Sequence, residues 1–376
     1  MRIAFDARVL APRRVGGTRT YLLQLVGALA AARTGWELVL YVDQPLEGRA
    51  AELLANSNVR QVVLGRRRNP TWVQVELVRA LRRDGADVFH SPGYFLPLRW
   101  AGPKVVSVHD LNIYRHAGRW LHRGRVTQWL DLAVQTPPAL LAARAVITGS
   151  AASARSIRRA FPPVASRLHV VPDAPDPFFD APSTPGELRD AARLAGPGPF
   201  FLAVGEVSPQ KRLEAVIDAL AISAAAGAAP LVIVGPDATG HTAALKARAV
   251  AVGVGDRLRC VGAVPDATLR ALYRTAACLV MGSDGEGFGL PIVEAMACGT
   301  PVLAASRAAL PEVVGGAGWM FDPDRPEELA GLLTSILSDG DRGLELRRRS
   351  RLQRQEFSWE RTAEMTAAVY QEAASR

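Results

Sequence analysis

Short apolar runs alternate with longer stretches of helical periodicity along most of this chain, the pattern of parallel strands joined by crossover helices. In the first half the runs Arg2–Phe5, Glu37–Val42, Val59–Leu64, Asp87–His90, Val105–Val108, Ala145–Thr148 and Leu168–Val171 read as strands. Thr20–Ala32 and Val73–Arg82 read as helices between them. After Val171 the sequence becomes dense in Pro and Asp as far as Gly186, which reads as an interdomain linker. The alternation then restarts with strands at Phe200–Val204, Leu231–Val234, Leu258–Val261, Ala277–Met281, Pro301–Ala304 and Gly318–Phe321. Helices are expected at about Arg212–Ala226, His241–Ala251, Asp266–Ala276, Pro291–Ala297, Arg325–Ser338 and Leu344–Arg354. The expected architecture is α/β, with two doubly wound domains facing each other across a cleft. Residues 1–172 form the first, 173–196 the linker and 197–356 the second. Ligands in such sheets sit beyond the carboxyl ends of strands, so the loops just after strands are where the chemistry is sought.

Composition sets bounds on this reading. With 49% hydrophobic and 22% charged residues a packed globular protein follows and wholesale disorder is excluded. Three cysteines (Cys260, Cys278, Cys298) make neither a disulfide framework nor a paired-Cys zinc site, which fits a reducing cytoplasm. The N-terminal run Met1–Leu10 carries an acid at Asp6 and reads as a strand, not a signal peptide. The uncharged stretch Ala219–Gly235 is interrupted by Gly227 and Pro230, so helix, turn and buried strand fit it better than a membrane span. Charge is uneven: residues 1–172 carry 25 basic and 10 acidic side chains, and residues 173–376 carry 20 and 26. Part of that excess is compositional drift in a chain rich in Ala and Arg. The remainder suggests an anionic partner for the first half, such as an acidic membrane surface or a phosphorylated or lipid-linked substrate. Nucleic acid is set aside, because aromatics are only 6% and no reader motif is present.

The most informative segment is Ser283-Asp-Gly-Glu-Gly-Phe-Gly-Leu-Pro-Ile-Val-Glu294, directly after the strand ending at Met281. Gly285, Gly287 and Gly289 let the backbone turn tightly and approach a ligand. Pro291 suits a first helical turn and Gly299 a helix stop, which predicts a two-turn helix over about Pro291–Cys298. Its free N–H groups near Gly289 and Leu290 favour an anion such as a diphosphate. Glu286 and Glu294 are separated by seven residues, and a carboxylate accepts well from a vicinal diol. Either feature alone reads as a Gly-rich turn with solvated acids; glycines, helix stop and second acid together point to a sugar nucleotide.

This segment resembles the signature of retaining glycosyltransferases of family 4, which have the GT-B fold, and the resemblance runs over nearly the whole chain. It implies that Glu286 contacts the donor sugar and Glu294 the nucleotide ribose, with Gly287, Phe288, Gly289 and Leu290 lining the diphosphate. Gly16-Gly17-Thr-Arg-Thr-Tyr21 is similar to the family's Gly-Gly loop before the first helix, beside donor phosphates and acceptor. Val106-Ser-Val-His109-Asp110 resembles the strand whose terminal His reaches the donor sugar. Val170-Val-Pro-Asp-Ala-Pro-Asp176 resembles the interdomain crossing, with Ala174 where Gly is usual. Phe357-Ser-Trp359 looks like the start of the C-terminal helix (357–376) that crosses back to the first domain. In Gly205-Glu-Val-Ser-Pro-Gln-Lys211-Arg212 the family's Arg-Lys pair is reduced to Lys211, since Gln210 stands at the Arg position; Arg212 either compensates or is solvated. Only three lysines occur (Lys104, Lys211, Lys246), so a Lys here in an Arg-rich chain suggests that a compact point charge is wanted.

The implied activity is transfer of mannose or a related hexose, with retention, from a nucleotide diphosphate to a glycan, lipid-linked or small-molecule hydroxyl. Lys211, Glu286 and His109 are the expected catalytic residues; the N-terminal domain takes the acceptor and the C-terminal domain the donor. GDP-sugars are the first expectation for the donor, with UDP- or dTDP-sugars next. No cofactor or metal is expected, since Asp322-Pro-Asp324 lies outside any expected site and no GxxxxGK[ST] loop is present. The same fold serves sugar-nucleotide epimerases and phosphorylases, which stay open as alternatives, with a basic nucleic-acid-binding protein more remote. His90, Ser150 and Tyr21 are candidates for lining the cleft, and Arg115, Arg119, Arg123 and Arg125 for meeting an anionic acceptor or the inner membrane face. His116, His122, His169, His241 and Arg66–Arg68 read as surface or packing residues.

Overall fold

The computed structural model describes residues 1–11, 16–65, 71–111, 114, 126–223 and 229–375, with the backbone alone for 126–132. Two compact units emerge, Met1–Ala174 with Ser358–Arg376, and Pro175–Phe357. Arg66–Arg68, the basic run Arg115, Arg119, Arg123 and Arg125, and His116 and His122 lie outside the described residues.

The first unit holds a seven-stranded parallel sheet: β1 (Arg2–Asp6), β2 (Glu37–Val42), β3 (Val59–Val63), β4 (Val88–Ser91), β5 (Lys104–Ser107), β6 (Ala145–Thr148) and β7 (Leu168–Val170), in the order β3-β2-β1-β4-β5-β6-β7. Central strands β4, β5 and β6 are buried along their whole length, as continuous apolar runs covered on both faces must be, while β3 at the edge is mostly solvated. The second unit has six strands, β8 (Phe201–Val204), β9 (Leu231–Val234), β10 (Leu258–Gly262), β11 (Cys278–Met281), β12 (Val302–Ala305) and β13 (Gly318–Phe321), in the order β10-β9-β8-β11-β12-β13 and parallel throughout. Each strand sits within a residue or two of its predicted place. Strand order reverses between β1 and β4 in one sheet and between β8 and β11 in the other. At such switch points the loops diverge and leave a crevice at the carboxyl edge.

Three local expectations change. Residues 173–196 are not a linker: the units divide at Ala174/Pro175, and Pro185–Ala195 is a helix of the second unit. A capping box starts it, the Thr184 hydroxyl accepting from the Glu187 N–H and the Glu187 carboxylate from the Thr184 N–H, and Glu187 also accepts from Arg270 at 2.7 Å. Pro185 occupies the first position of this helix, and Asp176 and Pro177 start the short 3-10 turn Pro177–Asp180 before it. Two helices absent from the sequence reading, Val126–Ala142 and Ala151–Ala160, join β5 to β6 and β6 to β7; the first contains Pro137 and Pro138, which argue against a helix in isolation. Arg212 does not belong to the following helix, Leu213–Ile222, but precedes it in the left-handed conformation.

The expected C-terminal helix is Trp359–Ser375, and it completes the first unit by packing on Gly17–Ala32. Trp359, Thr362, Thr366, Ala367 and Tyr370 are buried there, and the Thr362 hydroxyl donates to the Pro172 carbonyl at 2.7 Å. Among the described residues no helix is long and apolar enough to cross a membrane.

The loops after β8 and β9 touch so closely that only glycine fits. Gly235 has φ +147°, and a Cβ on it would lie 1.9 Å from the Gly205 carbonyl oxygen. Gly235→Ala is therefore expected to cost about 3 kcal/mol of stability. Gly331→Ala, inside the helix Pro326–Ser338 with open space around it, is expected to add about 0.5–1 kcal/mol. Urea unfolding of the two variants measures both.

Candidate active site

The switch point between β8 and β11 brings two of the singled-out residues together. Gly205 follows β8 and Gly282 follows β11; Lys211 and Glu286 sit on the loops beyond them, with Nζ to Oε1 2.6 Å and both side chains mostly buried. Gly205 allows this: with φ +137°, a Cβ on it would lie 3.0 Å from Lys211 Cε, so the lysine stem lies across a bare backbone. A second tie joins the loops. The Gln210 side-chain amide donates to the Gly285 carbonyl, and the Asp284 N–H donates to the Gln210 carbonyl at 3.0 Å. Gln210, read as a departure from an Arg, thus holds the glycine loop in place. Ser283, given no role in the sequence reading, is fully buried; its hydroxyl has no hydrogen-bond partner among the described residues and lines a small cavity with Lys211, Gly205 and Gly282.

The helix after the glycine loop spans Leu290–Ala297, with Gly289 (φ 108°) at its N-cap and no side chain capping it. Pro291 has no N–H and the Ile292 N–H donates to the Gly289 carbonyl at 2.9 Å, so the Leu290 N–H is the first amide at this helix start. Phe288 serves packing: it is buried, edge-on to Phe357 at 5.6 Å, so only its backbone faces the loop. One turn into the helix, Glu294 accepts from the Tyr273 hydroxyl at 2.9 Å. Burial, helped by Asp176 and Asp266, pushes its carboxyl up to about 7, while the Tyr273 hydrogen bond opposes the rise.

Arg212 is directed elsewhere. Its guanidinium donates to Asp324 and to the Pro323 carbonyl (3.1 Å), and lies 3.9 Å from Asp284. Arg307 joins the group through Asp322 (2.9 Å) and Asp324 (2.7 Å). The acidic pair that the sequence reading placed outside any site is thus the counter-charge of two arginines, Asp324 for Arg212 and Arg307, Asp322 for Arg307. Only the fold, which gathers the ends of β8, β12 and β13, makes that visible.

In the first unit Gly16 (φ +128°) caps the helix that Gly17 begins, and Tyr21 on that helix meets His109 edge-on at 4.8 Å. His109 lies just past β5, its Nδ1 3.9 Å from Asp173 Oδ2 and its Nε2 buried without a hydrogen-bond partner among the described residues. Burial lowers the imidazole to about 4 and raises the Asp173 carboxyl to about 7. His90 and Tyr21 do not line a cleft. Both are buried in a line of hydrogen bonds running Tyr370–His90 (2.6 Å), His90–Ser107 (2.7 Å) and Ser107–Tyr21 (2.9 Å). Burial drops His90 to about 3, so it is a neutral structural imidazole. Ser150 is likewise buried and caps the helix Ala151–Ala160 through the Ser153 N–H. His169 lies 3.8 Å from Glu372 and His241 lies 2.7 Å from Glu214.

Two family models match, one described as glycosyl transferases group 1 over residues 186–355 and one as glycosyltransferase family 4 over residues 15–177. The O-antigen chain mannosyltransferase B of Escherichia coli is 30% identical over 373 residues, covering 94% of this chain and 95% of the relative. Among solved structures, sucrose-phosphate synthase from Thermosynechococcus elongatus superposes with a TM-score of 0.77 at 23% identity, covering 99% of this chain and 98% of the other. Anabaena HepE, solved with UDP and glucose, gives 0.77 at 21% identity over 99% of this chain and 100% of the other. These likenesses place the fold in the GT-B class.

Glu294 gives the site a pH signature. Its carboxyl is raised from 4.5 to about 7, so the folded chain holds the proton more tightly than the unfolded chain. The stability this contributes is complete below about pH 4.5 and is lost as pH rises through 7. Glu294→Gln keeps an acceptor for Tyr273 and is expected to stabilise the protein by about 2–3 kcal/mol more at pH 8 than at pH 5. Urea unfolding of variant and wild type at the two pH values reads this difference, in which the contributions of Asp173, His90 and His109 cancel.

Proposed function

This chain belongs to glycosyltransferase family 4, and from that premise we propose that it moves a hexose from a nucleotide diphosphate to an acceptor hydroxyl with retention of anomeric configuration. The observation that carries the donor reading is the meeting of Lys211 and Glu286 at the β8/β11 switch point, beside a helix start that no side chain caps. A cation and backbone amides suit a diphosphate, and two carboxylates of different burial suit two polyhydroxyl groups. Glu286 is assigned to the sugar and Glu294, beside Tyr273, to the ribose. A mannosyltransferase among the relatives supports mannose, and with it a GDP-sugar as the first donor to test. HepE, solved with UDP, supports uridine as the second base.

The proposed chemistry uses the chain's own groups. As the sugar–phosphate bond lengthens, positive character grows on the anomeric carbon and negative charge on the leaving oxygen. Lys211 and the amides near Gly289 and Leu290 stabilise that charge, where removing one preorganised donor typically costs about 10²–10³ in rate. The leaving phosphate oxygen takes the acceptor's proton on the same face of the sugar. Asp322 and Asp324 are engaged by Arg307 and Arg212, which supports a reaction that does not draw on them as metal ligands. The acceptor is assigned to the first unit, where His109 presents its unpartnered Nε2. The basic excess of residues 1–172 supports a lipid-linked or otherwise anionic acceptor and peripheral work at the cytoplasmic face of a membrane.

A thermal-shift panel over GDP, UDP, dTDP and their sugars tests the donor. The matching ligand at 100 times its Kd adds about 2.7 kcal/mol and raises the melting temperature by several degrees. With the donor identified, Lys211→Ala is expected to lower turnover about 10²-fold or more with folding intact, and a chelator to leave wild-type turnover unchanged. Wild-type turnover in the variant removes Lys211 from the mechanism; loss of activity with a chelator removes the metal-free reading.

A further inference from the structure

Lys211, the cation assigned to the diphosphate, is already paired. Its Nζ donates to Glu286 Oε1 at 2.6 Å, and only 18% and 16% of the two side chains are exposed. Among the described residues Glu286 has no other ion-pair partner. Arg212 cannot stand in for Lys211, because Asp324, the Pro323 carbonyl and Asp284 hold it. A diphosphate that seeks Lys211 therefore competes with a carboxylate for the same ammonium group. The sugar hydroxyls that seek Glu286 meet an oxygen already engaged.

Both obstacles vanish together if the ligand brings both groups. We propose that Glu286 is the stand-in for the donor's phosphate: the diphosphate displaces it from Lys211, and the released carboxylate is taken up by hydroxyls of the attached sugar. This inference rests on the donor reading given above. Its consequence is selectivity. A nucleotide sugar replaces the pair with two new partnerships. A free nucleoside diphosphate breaks the same pair and leaves a carboxylate without a partner beside its own negative charge. Glu286 thus disfavours sugar-free nucleotides, and after transfer it reclaims Lys211 and drives the nucleoside diphosphate out.

Two features of the surrounding geometry favour an exchange by side-chain rotation. The contacts of Gln210 with Gly285 and Asp284 tie the two loops independently of the ion pair, so the backbone carrying Glu286 stays in place when the lysine turns away. The absence of a Cβ at Gly205, beneath the Lys211 stem, leaves that stem room to turn.

Calorimetric titration of GDP and UDP, and of their hexose conjugates, into wild type, Glu286→Gln, Lys211→Ala and the double variant tests this. Glu286→Gln is expected to bind the nucleoside diphosphate roughly tenfold more tightly than wild type while turning over donor more slowly. The nucleotide sugar gains less, so the preference for it narrows. In the Lys211→Ala background, where there is no pair to break and only the repulsion of the carboxylate remains, the Gln substitution is expected to give a smaller gain. Glu286→Asp, with a carboxylate too short to hold the 2.6 Å contact, is expected to shift the same way by a smaller factor, and serves if the Gln variant folds poorly. Nucleoside diphosphate binding that is unchanged or weaker in both Glu286 variants overturns the exchange while leaving the donor reading standing. Failure of every nucleoside diphosphate and nucleotide sugar to bind wild type overturns the donor reading, and the exchange with it.

Discussion

A parallel sheet that reverses its strand order leaves one place where two neighbouring strands send their loops apart. Nothing covers the carboxyl edge there, and the backbone polar groups of both loops need partners. In the second unit that place lies between β8 and β11, and its loops solve the problem with charge: an ammonium from one, a carboxylate from the other, an amide clasp beside them. The glycines follow from this crowding. Gly205 and Gly235 lie where a side-chain carbon would strike lysine or backbone.

The same edge shows why cations of one formal charge are not equivalent. Among the described residues Lys211 has a single carboxylate partner, whereas Arg212 sits in a group of two guanidinium groups and three carboxylates fastened at several points. A point charge on a flexible stem with one contact is free to change partners; a planar fork with three contacts is a fixture. Retention of lysine in a chain that otherwise prefers arginine is consistent with that division of labour.

Most of the scaffold was legible because burial on both sheet faces leaves an unmistakable run of apolar residues, as in β6 and β9. The glycine-acid segment was legible because helix start, helix stop and acid spacing are local. What escaped was tertiary. His90 and His109 both follow apolar runs, yet His90 lies inside β4, one residue from its end, and is sealed by Ser107 and Tyr370. His109 lies past the end of β5, and its Nε2 has no hydrogen-bond partner among the described residues. His90 pairs with Val105 across the two strands, so His109 stands four residues further toward the carboxyl edge, and that offset separates a sealed imidazole from one beyond the sheet. The guanidinium–carboxylate group at Asp324 joins positions more than a hundred residues apart, and no spacing rule finds it. The helix Pro185–Ala195 was hidden by its own capping residues, which read equally well as a linker.

The last helix carries a further consequence. Tyr370 closes the buried histidine of the first sheet, and Trp359–Ser375 covers the first helix, yet both follow the whole second unit in chain order. During synthesis on the ribosome, the nascent first unit must wait, with His90 lacking its Tyr370 contact, until the whole second unit has emerged. The two units are therefore coupled in biogenesis, and loss of Trp359–Ser375 damages the first unit, not the second that precedes it in the chain.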